Sequence, residues 1–348
     1  MSSMKRTVFA FFYLAPFAIG DTISLQNIVT IDVPGARRTV PKAINSNGDI
    51  AGYFQESNNS FSGFRYSRAA GTFTTFRIPG AGDVVPGGIT DSGVIAGVFG
   101  TSVPDNHFFL RFPNGTDLTF DYPSPGYLST LASINNIGEI AGSFAPPGQD
   151  FLGFIRSADG NAFTTFRIAG APETEVYGIN DVGQVVGRYQ PTPGTSIGFI
   201  RNKEGTFITV VPPDSSVPMP IIFLAGINNS GEAVGTSNSG RGFLRTPEGF
   251  FYFLEVPGYS GTSPAAISDK GEVVGTYYDA NNDQRHGFVG QFTPVPEPSA
   301  LPLFAIVGAI WGLGIRSKSI SVAAVRWRRC AVPDCGCCQS IRSKWFNH

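Results

Sequence analysis

One twelve-residue stretch returns six times along this chain, and no other feature limits so tightly what it can fold into. Gly-Ile-Asn-Asp-Val-Gly-Gln-Val-Val-Gly-Arg-Tyr, at residues 178–189, recurs with small changes at 43–54, 88–99, 133–144, 226–237 and 266–277. The starts lie 45, 45, 45, 48 and 40 residues apart. A period of that size belongs to repeat architectures, in which one supersecondary unit buries its apolar face only against its neighbours.

Each unit resolves into four extended segments. In the first, strand a is predicted at residues 40–45, strand b at 49–54, strand c at 63–66 and strand d at 72–78. The a–b turn reads Asn-x-x-Gly or Ser-Asp-x-Gly, where Asn or Asp caps the turn and glycine takes the left-handed position without steric cost. Gly48, Gly93, Gly138, Gly183, Gly231 and Gly271 are therefore expected to be hairpin glycines. A phosphate-cradling loop is excluded at these positions, because no helical pattern follows them. Four short antiparallel strands, repeated six times, predict an all-β, six-bladed β-propeller over residues 21–294. A small residue precedes Ile in every strand a, at Ala43, Gly88, Ser133, Gly178, Gly226 and Ala266. That suits an innermost strand crowded at a central axis. Phenylalanines of strands c and d, such as Phe64, Phe76, Phe166 and Phe253, are expected to pack between blades.

The ends of the array predict how the ring closes. The last copy has no strand d, but residues 28–36 near the start match residues 73–81 and can supply it. An N-terminal strand d leaves no open edge. All four cysteines (Cys330, Cys335, Cys337 and Cys338) lie beyond the repeats, so sheet pairing and an apolar core must hold the ring. Between Asp21 and Pro298 the chain carries 16 Lys and Arg against 25 Asp and Glu, a balance of about −9. An acidic body without a basic patch argues against a nucleic-acid partner.

In a meander the a–b and c–d turns share one face, and the b–c and d–a loops share the other. The b–c loops vary most, so a binding rim is expected there. Its chemistry-bearing residues are Asp105, His107, Asp279, Asp283 and His286, which form the candidate rim site. No catalytic triad, zinc or dinucleotide motif is present. Residues 279–283 alternate oxygen donors as a calcium loop does, yet the glycine and glutamate that complete that pattern are missing. No metal or other cofactor is expected.

The two ends address the chain to the cell envelope. Lys5 and Arg6, an apolar stretch at 7–17 and Ala18-Ile-Gly20 predict a signal peptide over residues 1–20. Near the other end, Pro296, Glu297 and Pro298 precede an apolar run at 300–315 and then Arg316 and Lys318. Sixteen helical residues span about 24 Å, enough for a short transmembrane helix with flanking residues reaching to the interfaces. The positive flank places the tail, 319–348, in the cytoplasm and the propeller outside. Residues 295–318 resemble the PEP-CTERM sorting signal of Gram-negative bacteria. That resemblance implies processing by an exosortase-type enzyme and delivery to the cell surface or exopolysaccharide matrix. The repeats resemble the HAF-type extracellular family, which implies a secreted setting and no particular activity. The resulting expectation is a non-catalytic surface or matrix protein whose rim contacts polysaccharide or another envelope component. The alternative is an extracellular carbohydrate-active hydrolase or lyase using rim carboxylates.

Overall fold

The computed structural model describes residues 21–102, 105–122, 128–146, 148–215 and 220–293, without the side chains of 101, 102, 105 and 128–132. The signal segment, the sorting motif and the C-terminal helix and tail lie outside the described residues. Among the described residues the strands form six sheets, antiparallel throughout but for one added parallel strand. Blade 1 comprises Arg38–Ile44, Ile50–Gln55, Phe61–Ser67 and Thr72–Phe76. Blade 2 comprises Asp83–Ile89, Ile95–Ser102, Asp105–Arg111 and Asp117–Phe120, and blade 3 Leu128–Ile134, Ile140–Ala145, Leu152–Arg156 and Phe163–Phe166. Blade 4 comprises Glu173–Ile179, Val185–Gln190, Ile197–Arg201 and Phe207–Val210. Blade 5 follows with Phe223–Ile227, Ala233–Thr236, Gly242–Arg245 and Phe251–Glu255, and blade 6 with Ser260–Ile267, Glu272–Asp279 and Gln284–Gln291. The strand a of each blade packs against that of the next, and blade 6 against blade 1, so the ring closes.

The expected N-terminal strand is present. Gln26–Thr30 runs antiparallel to Gln284–Gln291, with Val29 opposite Val289 and Thr30 opposite Phe288. One strand was not foreseen. Asp21–Ser24 lies parallel to Phe251–Glu255, adding a fifth strand to blade 5. Ile23 and Leu25 are buried there with Leu254, Val256 and Phe288, so the N-terminal segment stitches blade 5 to blade 6. Residues 21–25 have no counterpart in the repeats, which is why periodicity did not reveal them.

The repeated glycines have two separate causes. All six hairpin glycines have positive φ, between 74° and 91°. In blade 1, Gly48 N–H donates to the Asn45 carbonyl at 3.0 Å and closes the turn. The second glycine of the motif, on strand b, faces a β-bulge in strand a. A Cβ on Gly187 would stand 1.9 Å from the Glu175 carbonyl oxygen. The bulge adds one residue per strand a and aims Lys42, Gly87, Tyr177, Ala225 and Ala265 towards the axis. The small residue that follows is also required: a Cβ on Gly226 would meet Ala266 Cα at 2.8 Å.

The apolar core lies between blades. Strand c of every blade carries a phenylalanine that is wholly buried: Phe64, Phe109, Phe154, Phe199, Phe243 and Phe288. Each such burial stabilises the fold by about 1.5–3 kcal/mol. Phe76 meets Phe109 across one joint at 6.2 Å, and Phe166 meets Phe199 across another at 6.5 Å. Arginines at the ends of strand c sit over the strand d ring of the preceding blade: Arg111 over Phe76 at 4.6 Å, Arg156 over Phe120 at 4.4 Å and Arg201 over Phe166 at 4.8 Å. Such cation–π contacts add about 0.5–2 kcal/mol each.

Candidate functional site

The sequence-predicted rim residues fall into two separate groups. His107 of blade 2 and His286 of blade 6 hold matching places on strand c, tilted against Phe99 and Tyr277 at 5.2 and 5.5 Å. Each places Nδ1 against a carboxylate at the end of the neighbouring strand d: Asp121 at 2.8 Å and Asp32 at 2.6 Å. Neither carboxylate was singled out in the sequence, because each pairing joins segments distant along the chain or across a turn. Asp279 and Asp283 share one hairpin with His286. Asp279 Oδ1 accepts the N–H and the side-chain amide of Asn281, both at 2.9 Å, and Asp283 accepts the Tyr278 hydroxyl at 2.7 Å. These carboxylates cap their own turn and converge on no shared point with His107. The Asp105 side chain and Pro296, Glu297 and Pro298 lie outside what is described.

The axial channel offers more. At its a–b end the turn residues form a belt. Ser46, Asp91, Asn136, Asp181 and Asn229 each donate a backbone N–H to the side-chain oxygen of the equivalent residue one blade on, at 2.7–2.8 Å. Asp91, Asn136, Asp181, Asn229 and Asp269 alternate carboxylate with amide. Asn229 Nδ2 donates to Asp181 and Asp269, both at 2.8 Å, and Asn136 Nδ2 to Asp91 and Asp181 at 3.2 and 3.0 Å. Burial pushes the Asp181 carboxyl up, but the hydrogen bonds from Asn136 and Asn229 outweigh it and hold it below its ordinary value. Between blades 6 and 1 the belt continues through Lys270 Nζ, which donates to the Ser46 carbonyl at 2.7 Å.

At the opposite, d–a end the channel widens into a cavity of about 450 Å³. Arg38, Lys42 and Tyr53 line it from blade 1, Tyr177 from blade 4 and Phe223 from blade 5; Thr236, Ser263 and Thr276 add hydroxyls. Strand register explains the placement. Val40 stands opposite Tyr53, and Glu175 opposite Arg188, so Lys42 and Tyr177 occupy equivalent positions, as do Arg38 and Glu173. Blades 1 and 4 face each other across a ring of six. One wall of the mouth is therefore cationic and the other carries carboxylates.

The two walls differ in how they are satisfied. On blade 4, Glu175 accepts Arg188 Nη2 at 2.6 Å, Arg188 Nε at 3.1 Å and the Tyr177 hydroxyl. The Arg188 guanidinium also lies 5.1 Å over the Phe223 ring. A hydrogen bond to Glu175, then burial and the Glu175 charge, push Glu173 up to about 7, against the pull of Arg188. Glu175 moves the other way: burial would raise it, but Arg188, Glu173 and Tyr177 hold it ionised. Burial and the adjacent Glu175 charge push the Tyr177 phenol up. On blade 1, by contrast, neither the Arg38 guanidinium nor the Lys42 ammonium has a hydrogen-bond or ion-pair partner among the described residues. Burial alone pushes Lys42 below its usual value. Chemically the mouth offers two cations unpaired among the described residues, three aromatic rings and several hydroxyls.

No protein-family model matches the sequence, and no curated protein matches it. Among solved structures the chain is similar to the SapL1 lectin in complex with alpha methyl fucoside (12% identity, TM-score 0.49, 75% of this chain and 98% of that one). It is similar as well to AofleA from Arthrobotrys oligospora (12% identity, TM-score 0.49, 76% and 86%). A catalytically inactive virginiamycin B lyase from Staphylococcus aureus with quinupristin gives 12% identity and a TM-score of 0.46, covering 76% and 99%. Identities this low say nothing of ligand or activity.

Proposed function

We propose that this protein is a secreted, non-catalytic surface or exopolysaccharide-matrix protein. Its propeller binds polysaccharide or another envelope component at the d–a mouth of the axial channel. The observation that carries the reading is the cavity of about 450 Å³ walled by Tyr53, Tyr177 and Phe223, with hydroxyls between them. Its volume lies within the range of small-ligand sites, and rigid strands rather than loops shape it. The envelope destination rests on the sorting-signal resemblance of residues 295–318, with processing at Pro296, Glu297 and Pro298 by an exosortase-type enzyme. Binding is preferred to hydrolysis on geometric grounds. Asp279 and Asp283 are committed to their own hairpin. Glu175 is committed to Arg188 and Tyr177, and neither it nor Glu173 lines the cavity, so no carboxyl pair is set to flank a bound sugar as glycosidase carboxylates do.

The test is an array of native matrix polysaccharides probed with the full-length protein and with Tyr177→Ala and Phe223→Ala. Binding by the wild type that both variants lose is the expected outcome. Failure of the wild type to bind any matrix material would sink the reading, and release of reducing ends or unsaturated sugars would replace it with the enzymatic one.

A further inference from the structure

Charged side chains taken out of water are ordinarily paired, because an unpaired charge in a low-dielectric setting is costly. Half-buried Lys42 departs from that rule, with no hydrogen-bond or ion-pair partner among the described residues. It stands at the floor of the mouth, lining both the narrow axial channel and the wider cavity above it. The carboxylates that could answer it are on the facing blade, and Glu175 there is already held by Arg188 and Tyr177. Arg38, four residues earlier on the same strand, adds a second cation, unpaired among the described residues, about 10 Å nearer the opening. Between and beside them lie Tyr177, Tyr53 and Phe223, flat apolar surfaces with polar edges, and the hydroxyls of Ser263 and Thr276. Cations alone would suit any anion. Cations combined with ring faces and hydroxyls suit an anion carried on a hydroxylated, partly apolar ring.

We propose that the mouth binds an acidic sugar unit, its carboxylate or sulfate set against Lys42 and Arg38 and its ring face against Tyr177. This rests on the binding reading above and names the ligand class for that same cavity. Blade 4 offers the ligand no competing cation, because its Arg188 is held by Glu175, so the charged end is directed towards blade 1.

The experiment is calorimetric titration of the full-length protein with three probes of matched length: an oligogalacturonate, a sulfated galactan oligosaccharide and a neutral galactan oligosaccharide. The expected result is that at least one acidic probe binds at least about tenfold more tightly than the neutral one, as charge-assisted contacts imply. Whichever acidic probe binds identifies carboxylate or sulfate as the source of the charge. Lys42→Met should remove at least about tenfold of that affinity. It keeps the side-chain stem and removes a half-buried charge that no described residue pairs, so it should fold. Arg38→Gln, at an exposed position, supplies the variant whose folding is not in question. Affinity should also fall as salt is raised. Equal binding of neutral and acidic probes, unchanged in Lys42→Met and Arg38→Gln yet lost in Tyr177→Ala, would overturn the acidic-ligand inference and leave a neutral-sugar mouth. Binding of none of the three would also overturn it, and the polysaccharide array would then decide separately whether the mouth binds anything.

Discussion

The two ends of the axial channel are built on the same six strands and have opposite characters. At the a–b end every blade contributes a polar turn residue, five of them bonded to their equivalent one blade on and the sixth joint bridged by Lys270; Asp181 by itself takes hydrogen bonds from Asn136 and Asn229 on either side. At the d–a end the blades contribute unlike residues, and the cations of blade 1 have no hydrogen-bond or ion-pair partner among the described residues. A satisfied polar ring holds a structure together. An unsatisfied one is a place where something else belongs. The comparison assigns closure of the ring to one end and recognition to the other, and it can be broken from either side.

The largest expected effect comes from cutting the belt. Asn229→Ala removes the acceptor of the Asp181 N–H and the donor to both Asp181 and Asp269. Leaving those groups short of partners should cost about 3 kcal/mol, which at this size lowers Tm by roughly 10 °C. Ligand affinity at the mouth should not change. Lys42→Met should behave the other way, losing affinity with no fall in Tm. A belt variant that melts with the wild type, or a Lys42 variant that melts well below it, would show that the division of labour between the two ends is wrong.

Acid provides a second, smaller probe of the belt. Asp181 has a lower pKa in the fold than its ordinary value of 3.8. Its ionised form therefore stabilises the fold above that value, and the contribution is lost as pH falls through the lower folded value. In a series of thermal melts, the gap between wild type and Asp181→Asn should be full above about pH 5 and should close below the ordinary value. A gap that stays constant down to the lowest accessible pH would mean that the hydrogen bonds to the carboxylate are not what hold it there.

The blade 4 wall of the mouth has the opposite sign. Glu173 is raised from 4.5 to about 7 by Glu175 and by burial. A carboxyl raised in the fold contributes stability that is full below its unfolded value and lost as pH rises through the folded one. Stability should therefore decline between about pH 4.5 and about pH 7 in the wild type, with Glu175, Arg188 and Asp150 as the charges that face the group. Glu175→Gln removes both the hydrogen-bonded carboxylate and its charge, and Glu173 should then titrate near its ordinary value. Carbon-detected NMR titration of the carboxyls reads this directly. An unmoved Glu173 in Glu175→Gln would show that the two do not share a proton.

What the sequence made legible follows from its repetition. Six copies were enough to count the blades, to place the hairpin glycines, to put strand a at the axis and to find the missing strand, matched at residues 28–36 and observed at Gln26–Thr30. Asp21–Ser24 was hidden because it repeats nothing. The belt was partly visible: stacking the copies aligns Ser46, Asp91, Asn136, Asp181, Asn229 and Asp269. Turn chemistry alone accounts for each of these residues, so their cross-blade role emerges only once the ring brings them within reach. The mouth was masked by attention to loops. The position ahead of the small axial residue reads Lys42, Gly87, Ala132, Tyr177, Ala225 and Ala265. Four of the six are small, and the two exceptions fall three blades apart. Departure from the repeat on the innermost strand was the signal, rather than variation on the outermost loops.

The smallest effect belongs to the rim residues on which the sequence reading centred. His107 and His286 each pair with a carboxylate, Asp121 and Asp32, at partly exposed positions. Partly exposed ion pairs contribute at most about 1 kcal/mol, and the flanking rings of Phe99 and Tyr277 remain packed without the imidazoles. His107→Ala and His286→Ala should each lower Tm by no more than about 3 °C and leave affinity for the acidic oligosaccharide within about twofold of wild type. The two histidines replicate one motif on blades two apart, so loss of binding in both variants would make that motif a repeated recognition unit and move the site from the channel to the rim. Loss in His286→Ala alone would implicate the hairpin of Asp279 and Asp283. Binding unaffected in either variant but abolished by Lys42→Met would leave the innermost strand as the recognition surface and the rim pairs as braces between strand d and strand c.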